Sequence, residues 1–442
     1  MALALKLLAL WACVLLSSCS TAPESTLNTD ITRLWGAYSP YFSAGMYTSP
    51  PAGCRVDQLF ILQRHGARFP TSGASTTIIS GIHKLQSVHT YTDPRLDFLK
   101  NFAYTLGVAD LVPFGAHQSF EAGEDAYSRY RNLLRPENLP FLRASSSARV
   151  VDSATNWTAG FSAASHHVYN PPLSVILSED GNDTLDDGMC ANAGNSDAQT
   201  DAWLAVFAPP ITARLNRWAP GANVTDAETY SLISMCPFHT VALYTIGQHI
   251  LPLSPFCALF SADDFAAFEY SMDLDKYYGT GYGAHLGRVQ GVGYINELLA
   301  RLTHTPVNDS TQTNRTLDAS PATFPLDRAL YADFSHDNQI AAIYAAMGLF
   351  PQAAPLDPTA APAHMGTWVA SRLVPFSAHM VFERLACTRG AQYVRVLVND
   401  AAQPLAFCAD KKTPGVCELG AFVRSQAYAG GGGDGDWAKC FA

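Results

Sequence analysis

Two arginines and a histidine crowd into one short stretch, Arg64-His65-Gly66-Ala67-Arg68-Phe69-Pro70. Guanidinium groups present planar, paired N–H donors that match phosphate oxygens, and a neutral imidazole held between them can attack phosphorus. Gly66 has no side chain to keep backbone and substrate apart. Phosphoryl transfer spreads charge over the equatorial oxygens of its transition state, so its catalysis is mostly positioning and electrostatic stabilisation. Such a cluster supplies both.

These groups need elements to carry them. The apolar run Leu59-Phe60-Ile61-Leu62 predicts a buried strand ending at the motif. The pattern recurs at residues 329–338, where a strand-like run ends in His336 and Asp337. Helical spacing of Ile340, Ile343, Tyr344 and Met347 follows, with Gly348 placed to end the helix. A third run, residues 139–147, passes from strand to a polar serine turn and carries Arg143. Ligands of open α/β sheets bind beyond the carboxyl ends of the strands, so Arg64, His65, Arg68, Arg143, His336 and Asp337 are expected to converge. Taken singly, Asp337 also reads as a helix cap beside Ser335, and Arg143 as a surface ion-pair partner. Their occurrence together with the first motif favours a site.

Arg-His-Gly-x-Arg-x-Pro with a distant His-Asp pair resembles the histidine acid phosphatase family, and its fungal phytases most of all. Further segments carry the likeness: Leu34-Trp35-Gly36, residues 111–115, Asp275-Lys276-Tyr277-Tyr278-Gly279, residues 290–294 and the terminal residues 437–442. The stretch Asn156-Trp157-Thr158-Ala159-Gly160-Phe161 is similar to the basidiomycete branch, whose members tend to be 6-phytases. The resemblance implies a mixed sheet flanked by helices, with a smaller α-helical domain inserted. It implies His65 as the nucleophile that becomes a phosphohistidine, and Arg64, Arg68, Arg143 and His336 as the phosphate clamp. Asp337 would protonate the departing alkoxide. No metal and no cofactor are expected, since the arginines supply the positive charge. Tyr38, Asp110, Lys276 and Asn338 are expected at the substrate pocket, with Lys84 as a further cation for distal phosphates. Residues 71–77 lack the lysines that some family members place at the pocket rim, and Ala37 stands where Gln is common.

Rival chemistry has little support. The chain has no Walker-type glycine loop, no His-Glu-x-x-His, no Gly-x-Ser-x-Gly and no Cys-x-x-Cys. The adjacent His166 and His167 read as surface residues, because neighbouring side chains point different ways. The acidic stretch 179–187 lacks the glutamate that closes an EF-hand loop and reads as a solvated loop.

With 442 residues, 48% of them hydrophobic and 15% charged, the chain can bury a large core and has room for two domains. Residues 1–20 have the pattern of a secretory signal: Lys6, an apolar stretch from Leu7 to Leu16, then small residues. No later apolar run is long enough for a membrane anchor. Residues 24–154 and 301–442 are expected to form the α/β domain and residues 155–300 the helical insert, with the cleft between them. Late strands are expected at residues 380–383 and 393–398, with Asn399-Asp400 as turn residues. Gly430 to Gly433 read as a flexible loop.

Five sequons, at Asn156, Asn182, Asn223, Asn308 and Asn314, suit a secreted extracellular glycoprotein. The chain has ten cysteines; removing Cys13 and Cys19 with the leader leaves eight, an even number that implies disulfides without fixing their pairing. The family resemblance implies Cys54 with Cys387, Cys190 with Cys440, Cys236 with Cys257, and Cys408 with Cys417.

The formal net charge is −10 and the sequence pI about 5.7, and an acidic chain without a basic stripe gives no support to nucleic acid as a partner. It also repels a polyanionic substrate at neutral pH and attracts one in acid. A monomeric enzyme acting on phytate with an acidic optimum is expected. The alternatives are a broad acid phosphatase, removal of the 3-phosphate first, and a glycoprotein that binds phosphorylated ligands without turnover.

Overall fold

The computed structural model describes residues 30–248, 251–362, 366–409 and 415–442. The expected signal segment, with Cys13 and Cys19, lies outside the described residues.

Eight strands form one mixed sheet: β1 (Cys54–Arg64), β2 (Phe141–Ser145), β3 (Leu173–Leu177), β4 (Leu330–Ser335), β5 (His379–Cys387), β6 (Gln392–Val398), β7 (Ala401–Ala402) and β8 (Cys417–Glu418). Their order is β3-β2-β4-β1-β5-β6-β7, with β8 beside β6. β1, β2, β3 and β4 run parallel, and β5 turns antiparallel against β1. The central strands are buried on both faces, which is why Leu59–Leu62 and Leu330–Phe334 read as near-continuous apolar runs rather than alternating ones. Asn399 and Asp400 both take positive φ, 45° and 68°, in the two-residue turn between β6 and β7.

The helices that bear on the site are α1 (Ser72–Gln86), α2 (Pro113–Tyr130), α3 (Ala148–Ala164), α4 (Asp197–Trp218), α5 (Asp226–Ala242), α6 (Ala262–Gly279), α7 (Val292–Thr303), the short α8 (Arg315–Asp318) and α9 (Asp337–Met347). One face of the sheet, with Leu59, Ile61, Leu142 and Phe334, packs on Ala126 and Tyr130 of α2 and Trp157 and Phe161 of α3. Phe60, Leu62 and Tyr331 on the other face join the core of α5, α6, α7 and α9. Residues 155–300 begin inside α3 and include β3 of the main sheet; their helical part runs from α4 into α7. α9 ends at Gly348, which has φ 90° and leaves the left-handed residue the helix needs to stop.

Disulfides join the four pairs Cys54–Cys387, Cys190–Cys440, Cys236–Cys257 and Cys408–Cys417. Cys54 and Cys387 are register partners across β1 and β5, so the first bond ties the start of the strand that ends in the motif to its antiparallel neighbour. The glycine run is not a flexible loop. Gly432 and Gly433 donate to the carbonyls of Ala429 and Tyr428, and Gly433 is buried against Val289. His166 and His167 are exposed, as expected. Among the described residues no helix is long and apolar enough to cross a membrane.

α2 and α3 cross with their backbones in contact. A Cβ on Gly160 would strike the Phe120 carbonyl, and one on Gly123 the Trp157 carbonyl. Gly160→Ala is therefore expected to destabilise by about 1–3 kcal/mol, the usual cost of overpacking. Denaturant unfolding measures it, and an unchanged midpoint contradicts this packing.

Candidate active site

The strand ends place the chemistry. β1 ends at Arg64, and His65 follows with its N–H on the Ser335 carbonyl (3.1 Å) and its own carbonyl accepting from Ser377 N (3.0 Å). The motif then turns beneath α2 and α3. Gly66 N donates to Ser153 Oγ and Ala67 N to Gln118 Oε1, both at 3.0 Å. The approach is close enough that a Cβ on Gly66 would strike the Gly115 carbonyl, which explains the glycine in the motif. β4 ends at Ser335; His336 is the N-cap of α9 and Asp337 its first residue.

A polar cavity of about 240 Å³ opens at these ends, lined by Tyr38, Arg68, Arg149, Lys276, His336 and Asp337 together with Asp186, Asp187, Asp275 and Asn338. Arg64 and His65 are fully buried and meet this lining through Asp337 and His336. Arg64 Nη2 lies 3.3 Å from Asp337 Oδ2, and Lys276 Nζ lies 2.9 Å from the same oxygen. Lys276 also donates to Asn338 Oδ1 at 2.7 Å. The His65 and His336 rings are edge to face, 5.6 Å between centroids. His65 Nδ1 is 2.8 Å from the Gly66 carbonyl, an oxygen that only accepts, so Nδ1 carries the hydrogen and Nε2 keeps its lone pair.

Burial, and then the charges of Arg64, His336, Arg68 and Arg149, hold the His65 imidazole well below its ordinary pKa. Burial pushes the Asp337 carboxyl up, but Arg64 and Lys276 outweigh it and hold the group well below the usual carboxylate range. Asp187 is pushed up to about 6 by burial, with Asp186 and Asp337 adding to it.

Five of the six residues expected to converge do so. Arg143 does not. It pairs in register with Asp333 of β4, two residues short of the strand end, and its guanidinium bonds Asp333 (2.9 Å) and Glu297 of α7 (2.6 Å). Arg301 joins the same buried network through Asp333 at 3.1 Å. Arg149 lines the cavity instead, from the first turn of α3, with Nη2 3.2 Å from His336 Nδ1. A cation is disfavoured at a helix N-terminus, so only a helix already known to start at Ala148 would mark Arg149 as out of place.

Three other expectations also change. Asp110 is exposed and is not among the residues lining the cavity. Lys84 pairs with Glu228 of α5 at 2.8 Å. The acidic stretch is not a solvated loop: Asp183 is fully buried, Asp186 and Asp187 line the cavity, and Glu179 binds His336. Glu179, Asp186 and His336 present ligand atoms within 4.8 Å of one another, a spacing that would suit a metal ion. The glutamate and the histidine are already engaged, with Ser145, Ser147 and Arg149 as their further partners.

The profile of the histidine phosphatase superfamily (branch 2) matches residues 55–399. The chain belongs to that superfamily. It is 42% identical to Phytase A of Emericella nidulans, over 96% of this chain and 94% of that protein. Phytase A of Aspergillus fumigatus is 40% identical, over 93% and 90%. The fold matches a phytase from D. castellii with a TM-score of 0.75 and 23% identity, covering 90% of this chain and 85% of that one. It also matches the multiple inositol polyphosphate phosphatase of Bifidobacterium longum in complex with inositol hexasulfate, with a TM-score of 0.62 and 16% identity, over 88% and 96%.

This histidine phosphatase is thus an enzyme acting on phosphate esters, and its two candidate clamp arginines can be separated by experiment. Arg143→Leu leaves Asp333 and Glu297 buried with less positive charge and is expected to cost about 3–5 kcal/mol of stability, with the KM of the folded fraction unchanged. Arg149→Leu is expected to keep the unfolding midpoint and lower kcat/KM by about 10²–10³-fold, as loss of a transition-state donor does. Unfolding curves and phosphate release measure both, and the reverse pattern contradicts the assignment.

Proposed function

We propose that this histidine phosphatase hydrolyses phytate to lower inositol phosphates and phosphate, through a phosphohistidine on His65. The observation that carries this reading is a buried imidazole with one free lone pair, at Nε2, surrounded by Arg64, Arg68, Arg149 and His336 and set beside the Asp337 carboxyl. Nε2 forms a bond to phosphorus as the bond to the inositol oxygen breaks, and Asp337 gives its proton to that oxygen. Asp337 then takes a proton from water, the water oxygen bonds to phosphorus, and the N–P bond breaks to release phosphate.

Asp337 is ionised in the free enzyme because Arg64 and Lys276 hold it so. An incoming phosphate draws those same cations to itself and adds negative charge nearby. Both changes raise the affinity of Asp337 for a proton, so the acid is armed by the substrate. The Phytase A relatives support phytate as that substrate, and Lys276 and Asn338 are the cavity residues placed to meet its neighbouring phosphates. Attack at the 6-position first rests on the likeness to the basidiomycete branch, and product analysis tests it. Four disulfides support an oxidising, secretory destination. Asn223 and Asn308, both exposed, are the sequons best placed to carry glycan, whereas the Asn314 side chain caps α8.

The decisive assay compares kcat/KM on phytate and on p-nitrophenyl phosphate at acid pH without added metal. Phytate is expected to be preferred, and His65→Ala to lose on the order of 10⁴–10⁶-fold, as removal of a nucleophile does. A preference for the aryl ester would reassign the enzyme as a general acid phosphatase.

Asp187 sets a pH dependence. Below about 6 it is protonated and neutral; above, it is an anion facing an anionic substrate. KM for phytate is expected to rise as pH passes upward through that value. Asp187→Asn is expected to lower KM near neutrality and change it little in acid; equal effects at both pH values contradict this role.

A further inference from the structure

His336 is held from both sides. Its Nδ1 lies 3.2 Å from Arg149 Nη2, and its Nε2 lies 3.0 Å from Glu179 Oε1. Arginine can only donate, so in the resting protein Nδ1 offers its lone pair and Nε2 carries the hydrogen. Glu179 does not depend on His336 for its position. The same Oε1 accepts from Ser145 Oγ (2.8 Å) and from the Ser147 N–H (2.9 Å), while Glu179 N donates to Ser146 Oγ (3.1 Å). The serine turn after β2 therefore fixes a carboxylate that has come from the end of β3, and that carboxylate fixes the histidine at the end of β4.

We propose that Glu179 is the positioning residue of the phosphate clamp: its carboxylate takes the Nε2 hydrogen of His336, fixes the tautomer, and lets Nδ1 pick up the proton with which it holds a phosphoryl oxygen. A carboxylate accepting one ring N–H steadies the imidazolium that forms when the other nitrogen is protonated. When phosphate enters, Arg149 turns its donors to the phosphate and frees Nδ1. A proton taken up there becomes a charge-assisted hydrogen bond to the substrate. The charged groups facing His336 are Glu179, Asp186 (3.9 Å) and Asp187 from the acidic stretch, Arg149 from α3, and His65 from the end of β1. Among the carboxylates, Glu179 is the one at hydrogen-bond distance from the ring. Its own pKa is lowered to about 2, first by the bond from His336, so it is ionised throughout the working range.

The inference rests on the phosphatase reading, and the test keeps the two apart. Glu179→Gln retains an oxygen for Ser145, Ser147 and the His336 N–H and removes only the charge. KM for phytate and Ki for inorganic phosphate are both expected to rise about tenfold, the size of one charge-assisted hydrogen bond. The rise in KM is expected to exceed any fall in kcat, because the lost charge acts on the holding of phosphate. Glu179→Asp, which keeps the charge, is expected to restore much of that affinity. Should Glu179→Gln fail to fold, Ser145→Ala, which loosens the carboxylate, is expected to raise KM and phosphate Ki in the same direction by less. A wild-type KM with unchanged phosphate Ki in the variant overturns the proposal, as does an equal loss of all activity that tracks lower stability. Absence of phosphate release by the wild type would overturn the phosphatase reading instead.

Discussion

Like charges crowded at buried strand ends repel, and the architecture of this site follows from how that repulsion is met. Arg64, Arg68, Arg149 and Lys276 meet around two buried imidazoles. Burial and the neighbouring cations lower the pKa of Arg64 to about 10, a sign of the cost of holding it charged there. Asp337 answers Arg64 and Lys276, Asp275 answers Lys276 at 3.0 Å, and Glu179 answers His336. In the proposed mechanism a phosphate that enters takes over part of that neutralising role, so that binding and the release of Asp337 from its partners are one event.

The same physics explains why the sequence pointed to one arginine and the structure to another. The runs 59–62, 139–145 and 329–335 showed where strands would end, and β1, β2 and β4 end there. His336, Asp337 and the α9 pattern up to Gly348 were readable because cap, first turn and stop follow one another in the chain. Arg143 has the residue type expected at the end of such a run, but its side chain faces Asp333 and Glu297, which lie 190 and 154 residues away. No local pattern reveals such partners. Arg149 sits four residues after β2 ends, on a helix whose start at Ala148 no local pattern had announced, so its misfit with the helix dipole could not be read.

The acidic stretch failed to declare itself for a related reason. Charge density in a short segment predicts solvation when nothing else is known. Here distant polar groups were already waiting: Ser145 Oγ bonds both Glu179 and Asp183, and Thr184 Oγ1 bonds Glu297. The segment follows β3, whose register beside β2 delivers it to the serine turn. Lys84 erred the other way. Its charge is spent on Glu228, whose carboxylate also closes the capping box of α5.

One charge distribution serves two demands that ordinarily conflict. Acid pH favours attraction of a polyanion by an acidic protein and lets Asp187 lose its charge, yet an ordinary histidine is protonated there and cannot attack. Burial and the surrounding cations keep His65 unprotonated well below the usual imidazole range, while the Gly66 carbonyl holds its hydrogen on Nδ1. The arginines proposed to hold phosphate are thus also groups that keep the proposed nucleophile neutral. His336 instead has a carboxylate at hydrogen-bond distance from its ring, which His65 lacks. Two histidines 5.6 Å apart are therefore set apart by their neighbours, one with a carbonyl on Nδ1 and cations around it, the other held between an arginine and a carboxylate.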